Sequence, residues 1–146
     1  MESRFAGILS PAAAGERGLK GSGGMAVISI IGMGYVGLVY GAAFADLGNQ
    51  VHGVDIDAAK VEKLKRGVVP IYEPGLDELI RRNREAGRLR FTTDYAEAVP
   101  ESEFVFICVG TPSTFDGDAD MRAVRSAAEM IGRNLRGYTI VVNKST

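Results

Sequence analysis

Ala26-Val-Ile-Ser-Ile-Ile31, followed at once by Gly32-Met-Gly-Tyr-Val-Gly37, decides the fold of this chain. The first six residues are almost all apolar, as a strand buried on both faces should be. The next six fit G-x-G-x-x-G. Val36, Val39, Tyr40, Ala43 and Leu47 then recur at helical spacing. Gly48-Asn49 stops that helix, residues 51–54 make a second strand, and Asp55 ends it. A lone G-x-G-x-x-G says little. One that opens a helix between two strands, with an acid closing the second, is much more specific.

Each part has a physical job. Gly32 allows the tight turn out of the strand. Gly34 lets a pyrophosphate approach the backbone, and Gly37 lets the helix sit close to the strand. With Met33, Tyr35 and Val36 they form the candidate cofactor loop. The N–H groups and positive dipole end of the first helical turn face the phosphates. Asp55 can accept hydrogen bonds from both ribose hydroxyls of an adenosine. Its carboxylate repels a 2′-phosphate, so NAD is favoured over NADP. From this segment alone a turn with no ligand, a flavin and another adenine nucleotide stay open. A kinase-type loop fits poorly, because there the glycines join two strands.

The remaining sequence bounds the class. The chain has 146 residues, enough for one domain with a real core. A formal net charge of −1 gives no global signal for nucleic acid or an anionic membrane. The single cysteine, Cys108, rules out an internal disulfide framework and is consistent with a reducing cytoplasm. No stretch approaches the roughly 18 apolar residues of a membrane span. Residues 1–24 are rich in Gly, Ala and Ser and lack a sustained apolar run. They are expected to be a disordered or non-native extension, with Met25 the natural start. Mass spectrometry of the native N-terminus checks this, and an intact Met1 would count against it.

Alternation continues downstream. Residues 58–66 read as a helix with Val61 and Leu64 inward, ended by Gly67. Pro70-Ile-Tyr-Glu-Pro-Gly75 is a turn-rich connection. Residues 76–85 read as a surface helix, with Leu76, Leu79 and Ile80 inward and Arg81, Arg82 and Arg84 on a solvated face. Residues 89–92 form a strand, 95–99 a helical turn, 104–109 a buried strand, 120–135 a helix and 138–143 a fifth strand. The expectation is α/β: a Rossmann-type doubly wound parallel sheet of strand order 3-2-1-4-5, with a nucleotide at the switch between strands 1 and 4.

Two further stretches fall on the same rim. Val109-Gly-Thr-Pro-Ser113 ends the fourth strand, where Gly110 permits close approach and Thr111 offers a hydroxyl. An ordinary strand-to-helix turn has the same composition. Asn143-Lys-Ser-Thr146 ends the fifth strand, where Ser145 and Thr146 can reach a cofactor or simply cap a polar strand end.

Taken in order, Ile31-Gly-Met-Gly-Tyr-Val-Gly-Leu38, Pro70-Ile-Tyr-Glu-Pro-Gly-Leu-Asp-Glu-Leu79, Gly110-Thr-Pro-Ser113 and Val142-Asn-Lys-Ser-Thr146 resemble the N-terminal domain of the UDP-glucose/GDP-mannose dehydrogenase family. The Pro70 run is similar to its UDP-glucose 6-dehydrogenase branch. The resemblance spans residues 25–146. It implies NAD-dependent oxidation of the C6 alcohol of UDP-glucose to a carboxylate, with two hydrides passed to two NAD⁺. It implies a covalent cysteine intermediate, a UDP-sugar substrate and a homo-oligomer for the complete protein, and cytoplasmic nucleotide-sugar metabolism feeding polysaccharide synthesis. By resemblance, residues 32–37 and Asp55 hold NAD, Lys60 and Thr111 contact it, and Thr146 touches it and helps hold a catalytic water. GDP-mannose and UDP-N-acetylmannosamine remain alternative sugars, and a non-catalytic NAD-binding remnant remains an alternative function.

The resemblance also implies parts that this sequence lacks. Family members continue past the Lys-Ser-Thr run into a sugar-binding domain with the catalytic lysine, asparagine, cysteine and aspartate, so residues 25–146 read as an incomplete cofactor domain. Cys108 sits among Phe104, Val105, Phe106, Ile107 and Val109 on a buried strand, where a thiol is inert. His52 has no partner for a dyad and reads as a structural or surface histidine. No ligand spacing suggests a metal.

Overall fold

The computed structural model describes residues 25–145. The N-terminal residues 1–24 and Thr146 lie outside the described residues. Among the described residues five strands form one sheet: β1 (Val27–Ile31), β2 (Gln50–Val54), β3 (Leu89–Thr92), β4 (Phe104–Ile107) and β5 (Ile140–Asn143). Their order is β3-β2-β1-β4-β5, and every pair is parallel. The helices that fill the crossovers are α1 (Tyr35–Asp46), α2 (Ala58–Lys65), α3 (Leu76–Glu85), α4 (Tyr95–Ala98) and α5 (Arg122–Asn134). The chain leaves β1 toward β2 and returns to β4 on the other side, so the order reverses between β1 and β4. That reversal opens the crevice above the strand ends.

The central strand feeds two cores because its side chains alternate. Ile28 and Ile30 pack with Leu38, Ala42, Val61, Leu64 and Ile80 beneath α1, α2 and α3. Ile31 packs with Val54, Tyr95, Val105, Ile107 and Ile131 beneath α4 and α5. On that second face Ser29 is buried, and its hydroxyl meets the Ala98 carbonyl at 3.0 Å and the Ser102 hydroxyl at 2.8 Å. A buried hydroxyl with two partners carries no desolvation debt.

Spacing identifies α1 correctly but not its buried side. The buried residues are Gly37, Leu38, Gly41, Ala42, Phe44 and Ala45. Val36 is 41% exposed and Leu47 is 54% exposed. The helix is apolar nearly all round, so periodicity gives no direction. Close approach to β1 then selects small residues for the contact face. Strand ends are shorter than expected: pairing begins at Ile140, not at Tyr138, and β4 ends at Ile107. The last helix starts at Arg122, whose N–H is taken by the Asp120 carboxylate at 3.0 Å.

The arginines of α3 divide. Arg81 pairs with Glu78 and Glu85 on its own helix. Arg82 reaches Asp46 of α1 at 2.6 Å, and the Arg84 guanidinium donates to the Lys65 carbonyl. Behind them Asn83 is fully buried, donating to Asp46 and to the Leu79 carbonyl while accepting from Arg88. This network ties α3 to α1.

On its outer side β5 has no paired strand among the described residues, and Ile140 and Val141 are 40% and 44% exposed beside an exposed Tyr138. An apolar open edge invites pairing with another chain. Residues 25–146 alone are therefore expected to associate at high concentration in light scattering. A sharp monomeric peak would contradict this.

Candidate nucleotide-binding site

The glycine loop is fixed by contacts that exclude side chains. Gly32 takes φ +98°, and a Cβ there would lie 2.8 Å from the Cys108 carbonyl oxygen. The turn therefore lies flat on the end of β4, with the Gly32 N–H donating to the Val54 carbonyl at 2.7 Å. A Cβ at Gly37 would collide with the Gly32 carbonyl oxygen, so α1 rests directly on the turn. Gly34 is different: nothing lies within 4 Å of its notional Cβ. It is the N-cap of α1, no side chain caps that end, and no acid sits in the first turn. The positive end of α1 thus opens on free space, which suits an anion.

Asp55 closes β2 opposite this end and is only 8% exposed. Its Oδ2 accepts from the Met33 N–H at 2.8 Å and from the Lys60 ammonium at 2.9 Å, and its Oδ1 accepts from the Asp57 N–H at 2.9 Å. Burial pushes the Asp55 carboxyl up, but the Asp57 N–H, Lys60 and the Met33 N–H together outweigh it and hold it below its ordinary value. A carboxylate offers about four lone-pair directions, and three are used. Asp55 therefore has room for one ribose hydroxyl as it stands, where the sequence suggested two.

A cavity of about 430 Å³ runs from the glycine loop along Asp55 to α5. Gly32, Gly34, Asp55, Lys60 and Gly110 line it, as does the far wall of Ala123, Ser126 and Ala127. Other expected residues act from outside its walls. Met33 is buried and gives its N–H to Asp55. Gly37 lies beneath the turn, and Val36 is on the exposed side of α1. Tyr35 points to the Pro70–Gly75 connection, its hydroxyl donating to Glu73 at 2.8 Å. That bond raises the Tyr35 phenol and ties the signature stretch to the cofactor loop. Thr111 is half-buried just past Gly110. The Ser145 hydroxyl donates to the Val109 carbonyl at 2.7 Å, so the ends of β4 and β5 are joined there. Thr146 lies outside the described residues.

Several lining residues were not legible in the sequence, the α5 wall of Ala123, Ser126 and Ala127 among them, and two stand out. Ile56 follows the acid and is 88% exposed. Tyr95 comes from α4 and reaches the cavity from below the sheet's second face. The only signal for Ile56 was its place after Asp55; for Tyr95 there was none, because the topology alone brings it there. Among the described residues no group of three His, Cys, Asp or Glu can hold a metal ion, and no helix is long and apolar enough to cross a membrane.

The family profile described as "UDP-glucose/GDP-mannose dehydrogenase family, NAD binding domain" matches residues 26–146. The chain belongs to this family. It carries the family's NAD-binding domain, and the site fits NAD: an open helix end for phosphates, an ionised acid beside it and a long cavity between. Over 122 residues the chain is 50% identical to UDP-glucose 6-dehydrogenase TuaD of Bacillus subtilis, covering 84% of this chain and 26% of that protein. Over 120 residues it is 54% identical to the UDP-glucose 6-dehydrogenase of Rhizobium meliloti, covering 82% and 28%. A crystal structure of a ternary complex of GDP-mannose dehydrogenase from Pseudomonas aeruginosa superposes with a TM-score of 0.79 at 41% identity, covering 82% and 28%. The chain thus spans about a quarter of the length of these family members.

Cys108 borders the cavity but is poorly suited as a nucleophile. It is 9% exposed, and burial pushes its thiol up to about 11, against a weak opposing pull from Lys144. Its alkylation near neutral pH is expected to be at least about tenfold slower than that of a free thiol, whose unperturbed value is about 8.5. Timed iodoacetamide labelling followed by mass spectrometry measures this, and labelling at the free-thiol rate would refute it.

Proposed function

We propose that this chain is the NAD-binding part of a UDP-glucose 6-dehydrogenase. In the complete protein, water and two NAD⁺ convert the primary alcohol of UDP-glucose to the carboxylate of UDP-glucuronate. The observation that carries the cofactor half is the uncapped, side-chain-free end of α1 facing the same cavity as ionised Asp55. The sugar half rests on the Pro70–Leu79 signature and on likeness to the relatives above.

Bound NAD⁺ supplies the hydride acceptor; this chain's residues bind and orient it. The α1 N-terminus, with Gly34 leaving the approach clear, holds the pyrophosphate. Asp55, positioned by Met33, Asp57 and Lys60, takes a ribose hydroxyl and rejects a 2′-phosphate. Lys60 balances the Asp55 charge. Glu73 steadies the cofactor loop through Tyr35. Thr111 contacts the dinucleotide from the end of β4, and by resemblance to the family Thr146 also touches it and helps hold the water. The sugar pocket, the catalytic cysteine and the homo-oligomer contacts belong to the rest of the complete protein, which acts in the cytoplasm.

Two measurements test this. Calorimetric titration of the chain should show NAD binding and at least tenfold weaker NADP binding. The complete protein should form NADH with UDP-glucose, at two NADH per sugar. Preference for GDP-mannose or UDP-N-acetylmannosamine would overturn the sugar assignment alone. NAD binding without any turnover would mark a non-catalytic remnant. Absence of NAD binding would overturn the reading entirely.

A further inference from the structure

We infer that Tyr95 is a further cofactor-binding residue, its hydroxyl hydrogen-bonding the ribose of the adenosine half. This rests on the NAD reading of the cavity. Tyr95 is 6% exposed, and its ring packs with Ile31, Val54, Ile107 and Ala127. It also lines the cavity together with Asp55. No described residue hydrogen-bonds its hydroxyl. The hydroxyl is not sealed in the core, where among the described residues only His52 Nδ1 is buried without a partner; it opens onto the cavity and is available to a ligand. The ring cannot easily turn away. Its helix is a single turn, capped by Asp94 through the Ala96 N–H at 2.7 Å and flanked by the Thr92–Glu97 bond at 2.7 Å. The unpartnered hydroxyl is therefore held in the cavity wall.

The count at Asp55 says what it is for. Three of about four acceptor directions on that carboxylate are filled by Met33, Asp57 and Lys60, leaving room for one ribose hydroxyl. A ribose carries two. Tyr95 is close enough to Asp55 for the carboxylate charge to add to burial in raising the phenol. It therefore stays a neutral O–H at physiological pH, able both to donate and to accept. The two residues together suit a vicinal diol better than Asp55 alone.

Tyr95→Phe in the whole chain tests this. The hydroxyl has no protein partner to lose, so the thermal midpoint without ligand should equal or exceed that of the parent. NAD and ADP affinities, by calorimetry, should fall about three- to tenfold, the range of one net hydrogen bond. With 2′,3′-dideoxy-ADP, which has no ribose hydroxyl left to bind, the parent and variant should bind alike. Equal NAD affinity in parent and variant would overturn the inference and leave the NAD reading standing. So would a lower unliganded midpoint with unchanged affinity, which marks a structural hydroxyl. A variant that still loses on 2′,3′-dideoxy-ADP would overturn the ribose assignment. A parent that binds no NAD would overturn the parent reading and this inference together.

Discussion

Gly37→Ala is expected to abolish the native fold, whereas Gly34→Ala should fold normally and lose the dinucleotide. The two substitutions add the same methyl three residues apart. At Gly37 the new Cβ falls on the Gly32 carbonyl oxygen, and the Met33 side chain stands 3.2 Å away. Neither backbone can yield cheaply. Gly32 is itself pressed against the Cys108 carbonyl, and its N–H is bonded to Val54. Relief requires lifting α1 off the sheet, which uncovers Leu38, Ala42 and Phe44. Overpacking typically costs about 1–3 kcal/mol, and a backbone collision with no exit belongs at or beyond roughly 4 kcal/mol. Against a total of about 5–15 kcal/mol for a domain, that is most of the reserve. At Gly34 the backbone is extended, with φ −79°, a conformation open to any residue, and the methyl enters empty space. Circular-dichroism melting should therefore separate the two variants at once. Calorimetry on Gly34→Ala should then show NAD binding weakened at least about tenfold, or 1.4 kcal/mol, because the methyl occupies the phosphate approach. A stable Gly37→Ala would refute the packing argument. Undiminished affinity in Gly34→Ala would refute the placement of the phosphates.

What the sequence revealed depended on whether the physics was local. The β1–turn–α1 unit was readable because an apolar run, three spaced glycines and a terminal acid each act within a few residues of one another. The strand order followed from the alternation of strands and helices, which limits the topologies. The buried face of α1 was not readable: Val36 and Leu47 are as apolar as Leu38 and Phe44, and only the nearness of β1 decides between them. The partners of Asp55 were partly hidden for the same reason. Its acid was plain, but saturation by Met33, Asp57 and Lys60 depends on where the turn and α2 come to rest. Arg82 read as a solvated charge because Asp46, its partner, lies 36 residues earlier on another helix. Tyr95 is the extreme case. It is one aromatic residue in a short helix after β3, and nothing near it in sequence says that it borders the cavity that begins at Gly32.

Asp55→Asn should weaken NAD binding at least about tenfold, narrow the gap between NAD and NADP, and destabilise the domain by about 1–3 kcal/mol at neutral pH. The substitution keeps the shape and removes the charge. All three protein groups at this carboxylate are donors: the Met33 and Asp57 N–H groups and the Lys60 ammonium. An amide presents only one oxygen, so its NH₂ must face a donor and at least one bond is lost. Lys60 is then left without its counter-charge. The 2′-phosphate of NADP no longer meets a carboxylate, and Lys60 is free to meet it, so the preference shrinks from both sides. The pH dependence distinguishes this account from a general loss of packing. The Asp55 carboxyl is held below its ordinary value in the folded protein, so as pH falls the unfolded chain takes up its proton first. The stability it confers is fully present above the ordinary carboxyl range of about 4 and is lost as pH falls through the lower folded value. Asp46 is depressed in the same way by Arg82 and Asn83, so the variant keeps part of the acid sensitivity. The difference in melting temperature between parent and Asp55→Asn should accordingly be largest at pH 7 and shrink toward pH 3. A difference that stays constant across that range would place the effect in packing and take the charge out of the explanation.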